Sequence, residues 1–141
     1  MKVILFFLLI VAAFADIWTD CSKAGDDFKI TSVSINPDPP VKGSPVTAAI
    51  TGNLQKTITG GTAHLTVSLN GIKLLDETKD ICTIDPDEVK CPIPANPNFT
   101  LKDTVTIPSY APSGTYTGQV VLTDQDGTEI ACVKFNLDLK E

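Results

Sequence analysis

Apolar and polar residues alternate with period two along most of the chain beyond residue 27, and no window there carries the spacing of an amphipathic helix. A first strand is expected over Phe28 to Ile35. It stops at Asn36-Pro37-Asp38-Pro39-Pro40, because proline cannot donate to a ladder and holds the chain in an extended exit. Val46, Ala48 and Ile50 then alternate with Thr47, Ala49 and Thr51 until Gly52 ends the pattern. Ala63, Leu65, Val67 and Leu69 alternate with His64, Thr66 and Ser68. Asn70-Gly71 follows, a pair that accepts the positive φ angles of a two-residue hairpin turn, so a return strand is expected from Ile72 to Leu75. Further on, Phe99, Leu101, Val105 and Ile107 share a face on which Asp103 is the exception. Tyr116, Gly118, Val120 and Leu122 form another strand. After the Asp126-Gly127 turn, Ala131, Val133, Phe135, Leu137 and Leu139 mark the last one. About seven strands with turn signals between them predict an all-β domain of two antiparallel sheets packed face to face. Seventeen threonines, all beyond residue 15, suit such half-buried pleated surfaces.

The first residues belong to a different pattern. Lys2 precedes twelve apolar residues, Val3 to Phe14, and Ala13-Phe14-Ala15 supplies small residues for signal-peptidase cleavage. The run is shorter than the roughly 20 residues that span a bilayer. Residues 1–15 are therefore read as a signal peptide and 16–141 as a single domain. Beyond Lys2 the chain has ten lysines, no arginine and seventeen acids. Such a surface is unsuited to nucleic acid, whose phosphates need clustered cations. One or two lysines would still suffice to hold a single anionic headgroup at a pocket mouth.

A leader into an oxidising compartment changes the meaning of the four cysteines, which read as two structural disulfides. Three pairings are possible. Cys82–Cys91 is favoured because the loop between them reads as a hairpin that keeps their α-carbons close, leaving Cys21–Cys132 to join the N-terminal segment to the last strand. Crossed pairings would send the two cysteines of one loop to different partners. Zinc is a poor fit, with no CxxC and His64 as the sole histidine. Asn98-Phe99-Thr100 is an N-glycosylation sequon at a strand entrance, kept extended by Asn96-Pro97.

Catalytic chemistry finds little support. A nucleophile needs a base and an orienting acid, yet His64 lies mid-strand on a polar face with no nucleophile elbow nearby. Asp85, Asp87, Glu88, Asp124 and Asp126 fall in loops and turns, where carboxylates shape the backbone and meet water. Gly60-Gly61 lacks the Lys-Ser/Thr and helix start of a phosphate cradle. A non-enzyme without cofactor or metal is expected. The Pro108 to Tyr116 connection, which holds both tyrosines, reads either as a rigid corner or as a semi-apolar rim.

Four motifs stand in a telling order. They are Asn36 to Gly43, Cys82 to Cys91-Pro92-Ile93, Ile107-Pro108 to Pro112-Ser113-Gly114-Thr115-Tyr116, and Asp124-Gln125-Asp126-Gly127 leading to Ile130-Ala131-Cys132. Together they resemble the ML lipid-recognition domain family, most closely its phosphatidylglycerol/phosphatidylinositol transfer branch. Niemann–Pick type C sterol carriers and group 2 mite allergens resemble it more distantly. The resemblance covers essentially the whole chain after the leader. It implies an immunoglobulin-like sandwich whose sheets splay apart around a lipid, with Cys21–Cys132 and Cys82–Cys91 paired. The sterol carriers have a third disulfide near the first proline-rich turn, which this chain lacks.

On that resemblance, lipid would be held by Ile35, Val46, Ile50, Leu65, Val67, Leu74, Leu101, Val105, Ile107, Val120, Val133, Phe135 and Leu137, with Tyr110 and Pro112 at the rim. Acyl burial contributes roughly 0.8 kcal/mol per methylene, enough for useful affinity without headgroup contacts. The expected function is a carrier of phospholipid between membranes, in the secreted fluid or the lumen of lysosomes and endosomes. Expected partners are a phospholipid or sterol and, transiently, membrane surfaces, with the chain acting as a monomer. The alternatives are a sterol carrier or an extracellular recognition module without transfer activity.

Overall fold

Two antiparallel sheets face each other in the computed structural model, which describes residues 17–140. The expected leader, its cleavage site and the first residue of the expected domain lie outside the described residues. The strands are β1 (Trp18–Asp20), β2 (Phe28–Asn36), β3 (Pro45–Leu54), β4 (Gly61–Leu69), β5 (Ile72–Asp80), β6 (Asn96–Thr106), β7 (Gly114–Asp124) and β8 (Glu129–Leu139), with one helical turn, α1 (Ile81–Ile84), between β5 and β6. The larger sheet runs β1-β8-β7-β4-β5 and the smaller β2-β3-β6.

Alternation places the apolar residues of both sheets on their facing sides, with Leu65, Val120 and Val133 side by side in the larger sheet and Ile50 beside Leu101 in the smaller. Cross-strand hydroxyl pairs occupy other positions: Thr47 with Thr104 at 2.8 Å, Thr51 with Thr100 at 2.9 Å, and Thr62 with Thr123 at 2.6 Å. Such pairs stabilise neighbouring strands and account for part of the threonine content.

Several expectations need correction. The described residues form eight strands, because β1, only three residues long, pairs with β8 and joins the seven that the alternation marks. β3 continues past Gly52 to Leu54 after a register shift. A Cβ at Gly52 would stand 2.6 Å from the Phe28 ring and 2.2 Å from the Lys29 carbonyl oxygen, so this glycine serves close packing. Asn70 and Gly71 do turn the β4–β5 hairpin with φ of 51° and 83°, but the return strand runs to Asp80, well beyond Leu75. The cysteine loop is not a hairpin. It opens with α1, whose first turn is capped by Asp80 Oδ1 accepting from the Cys82 N–H at 2.8 Å.

Both disulfides close as expected, with Cα–Cα distances of 4.8 Å for Cys21–Cys132 and 5.4 Å for Cys82–Cys91. The first spans 111 residues and the second 9. On the chain-entropy model they stabilise the fold by about 5 and about 2.5 kcal/mol respectively.

One end of the sandwich is solid. Phe28, Leu54, Ile58, Ile81, Val89, Ile93 and Ile130 are buried there, and the Phe28 and Phe99 rings meet edge-on at 5.5 Å. Asp124 belongs to this packed region. It was expected to shape a turn and meet water. It accepts from the backbone N–H groups of Asp126 at 2.9 Å and Thr128 at 3.1 Å, but its side chain is fully buried and paired with Lys56.

Candidate functional site: an apolar cavity between the sheets

Away from the solid end, the facing sheets leave a cavity of about 260 Å³. Protein interiors hold few voids larger than a water molecule, for which about 10–15 Å³ suffices. Ala48, Ala63, Val33, Val46, Val67, Val120 and Val133 line the space with short side chains, set among longer ones such as Leu65, Leu101 and Phe135.

Twelve of the fifteen positions proposed for lipid stand on this wall: Ile35, Val46, Ile50, Leu65, Val67, Leu101, Val105, Ile107, Val120, Val133, Phe135 and Leu137. Leu74, Tyr110 and Pro112 do not. The β4–β5 ladder pairs Val67 with Leu75 and Ser68 with Lys73, so Leu74 is the extra residue of a bulge. The bulge turns Leu74 outward, 54% exposed, and brings Leu75 onto the wall in its place. Tyr110 is 86% exposed, and Pro112 is exposed beside it. The wall tyrosine is Tyr116, whose hydroxyl donates to the Pro112 carbonyl at 2.6 Å. The Pro108–Tyr116 connection is thus a pinned corner with one tyrosine on the cavity and the other in solvent.

Sequence reasoning passed over Val33, Ala48, Leu122 and Leu139, although period two already placed them beside named neighbours. Pro40 and Ile84 come from a loop and a helical turn, where strand alternation gives no signal. Among the described residues, the ionisable ones on the wall besides Tyr116 are Lys79, Lys102 and Asp103. Lys79 Nζ meets Asp103 Oδ2 at 2.9 Å, and Lys102 Nζ faces Glu88 at 3.7 Å.

Groups with displaced titration lie elsewhere. Asp76 is held below the usual carboxylate range by Lys73 and then by His64, whose Nε2 stands 2.6 Å from Asp76 Oδ1 on the exposed surface. Asp124 and Glu129 are shifted in opposite directions, and neither lines the cavity. No group of three or more metal-ligating side chains occurs among the described residues. What the wall offers is apolar contact with a small charged border. Asn98 is exposed near the start of β6, its N–H held by Asn96 Oδ1 at 2.9 Å.

Comparisons with known proteins agree with this architecture. A family model described as the ML domain matches residues 15–139. The chain is 45% identical over 136 residues to a Dictyostelium discoideum protein named, provisionally, phosphatidylglycerol/phosphatidylinositol transfer protein 2, covering 96% of this chain and 94% of that protein. Among solved structures, a Niemann-Pick type C2 protein from the Japanese carpenter ant superposes with a TM-score of 0.71 at 18% identity, covering 89% of this chain and all of that one. Chicken MD-1, solved with lipid IVa, gives 0.56 at 20% identity and covers 86% of each chain. A β-sandwich with its core left open, matched by the family model over nearly its full length, belongs to the ML domain family.

Proposed function

We propose that this chain carries a phospholipid of the phosphatidylglycerol/phosphatidylinositol type between membranes, with the acyl chains in the inter-sheet cavity. The observation that carries the reading is that cavity, hollow and apolar in a domain whose other end is fully packed. The name of the 45% identical relative supports the choice of lipid class. The absence of a cysteine near the first proline-rich turn supports phospholipid over sterol. The chain acts as a carrier and not as an enzyme, in keeping with the transfer proteins it resembles, and the wall supplies contact area for a ligand.

Delivery requires contact with a bilayer. Val41, Ile72, Leu74, Val105 and Tyr110 are the large apolar side chains exposed among the described residues. They gather at one end of the sandwich. There the β2–β3 loop bonds to the β6–β7 loop through Gly43 N–H to Ile107 O and Ile107 N–H to Ser44 O. The β4–β5 hairpin adjoins the same loops, Leu69 lying 3.1 Å from the Cβ position of Gly114. This end is the proposed membrane-contacting face. No described helix is long and apolar enough to cross a membrane. The two disulfides favour the secreted fluid or a lysosome-like lumen as the working compartment.

The test is the content of protein purified from its own host. Native mass spectrometry should show one bound phospholipid per chain, identified after extraction. Chains that are stoichiometrically empty would defeat the proposal, and a bound sterol would move the assignment to the sterol branch.

A further inference from the structure

Two charged side chains interrupt the apolar inner faces, and they come from different sheets. Asp103 follows Leu101 by two residues on β6, so it shares that strand's inward face. Lys79 stands opposite Ala63 on β5. Both strands are edges of their sheets and do not pair with one another, yet the Lys79–Asp103 bond spans the gap between them at 2.9 Å. Each side chain is 29% exposed, half in the wall and half at its border.

A partly desolvated ion pair adds little net stability, and two apolar residues would seal this side at least as well. Its position suits a ligand with an apolar body and a single anionic group. A phosphodiester cannot follow acyl chains into the cavity without losing its hydration, so it stops at the wall's charged border. The cation already there is Lys79.

We propose that Lys79 is the phosphate-binding residue of the cavity, with Asp103 as the internal anion that occupies it in the empty chain. This rests on the carrier reading above. On loading, the lipid phosphate takes the ammonium and Asp103 swings to water, which it already meets. Lys79 then has an anionic partner in both states, so no bare charge is left in the wall. Lys102, next along β6 and 47% exposed, adds a second cation at the same border. The site recognises the phosphate and leaves the rest of the headgroup free, which gives a carrier selective for phospholipids over neutral lipids and tolerant of what the phosphate bears.

Uptake from vesicles containing labelled phosphatidylglycerol, phosphatidylcholine or neutral diacylglycerol tests the site in the wild type, Lys79→Gln and Asp103→Asn. The two variants should move phosphatidylglycerol binding in opposite directions, and phosphatidylcholine, which carries the same phosphodiester, should follow it. Phosphatidylcholine binding that ignores both variants would overturn recognition through the phosphate alone. Lys79→Gln should lose about tenfold and Asp103→Asn should gain, the size expected for one charge-assisted bond. Diacylglycerol uptake should stay unchanged in both, which also reports that each variant is folded. Changes of the same sign for every lipid would mean a simple latch between the sheets and overturn the phosphate assignment, as would no change in either variant. Excess inorganic phosphate should not displace phosphatidylglycerol, because the free ion lacks acyl chains. Displacement that depends on Lys79 would assign the site to free phosphate and overturn the lipid assignment. A wild type that takes up no lipid of any kind would instead remove the carrier reading itself.

Discussion

The tip of the Phe135 ring occupies the space that a side chain at Gly118 would fill. The two residues face each other across the β7–β8 ladder, and a Cβ at Gly118 would lie 2.0 Å from the ring's outermost carbon. Gly118 therefore fixes where Phe135, a wall residue, stands in the cavity. Gly118→Ala should force the ring inward or the strands apart, destabilising the fold by about 1–3 kcal/mol. Urea unfolding should show the lower midpoint, and lipid capacity should fall with it. An unchanged midpoint would mean that the ring relocates freely and that the glycine has no such role.

Acid response should be non-monotonic, because two carboxyl groups are shifted in opposite directions. Asp124 is held below the usual range, first by Lys56, against burial, and further by the Thr128 and Asp126 N–H groups. Its contribution is fully present above the unfolded value of about 3.9 and is lost as the pH falls through the lowered folded one. Glu129 is raised, first by its hydrogen bond to Asp26, then by burial and Asp26's charge, with Lys23 opposing. One Glu129 oxygen is buried without a partner. Ionised Glu129 thus weakens the fold above its raised pKa, and that penalty fades as the pH falls toward about 4.3. Glu129→Gln should be more stable than the wild type at neutral pH and lose its advantage near pH 4. Asp124→Asn should be less stable by on the order of 5 °C in Tm, the deficit shrinking in strong acid. Thermal melts across the pH range check both, and pH-independent differences would contradict the assignment.

The exposed apolar end should matter for delivery more than for holding lipid. Leu74 and Tyr110 lie off the cavity wall and are 54% and 86% exposed. Replacing both with serine should slow transfer between vesicles severalfold while leaving the bound lipid per chain unchanged. A loss of bound lipid with normal transfer kinetics would place their role inside the cavity.

Much of this was legible in the chain, for a definable reason. Period-two alternation reports the facing of each residue, so Leu65, Val120 and Val133 were placed on an inner face before any contact was known. Alternation fails where the backbone changes phase. The β4–β5 bulge reversed Leu74 and Leu75, and nothing in Ile72-Lys73-Leu74-Leu75 marks it. β1 is too short to show a period at all. Asp103 was visible as an exception on an apolar face, but its partner Lys79 was not. Their meeting depends on which edges of two different sheets come together, information that strand patterns do not hold.

If the space between the sheets holds the lipid, a side chain that fills this space must block transfer. Val120 lies on the wall between its ladder neighbours Leu65 and Val133, in the middle of the larger sheet. Val120→Trp should place its indole in the empty volume and keep the fold. Transfer of phosphatidylglycerol from donor to acceptor vesicles should then fall at least about tenfold, the loss of more than one methylene's burial. A folded Val120→Trp variant that transfers the lipid as fast as the wild type would mean that the lipid is held somewhere other than between the sheets.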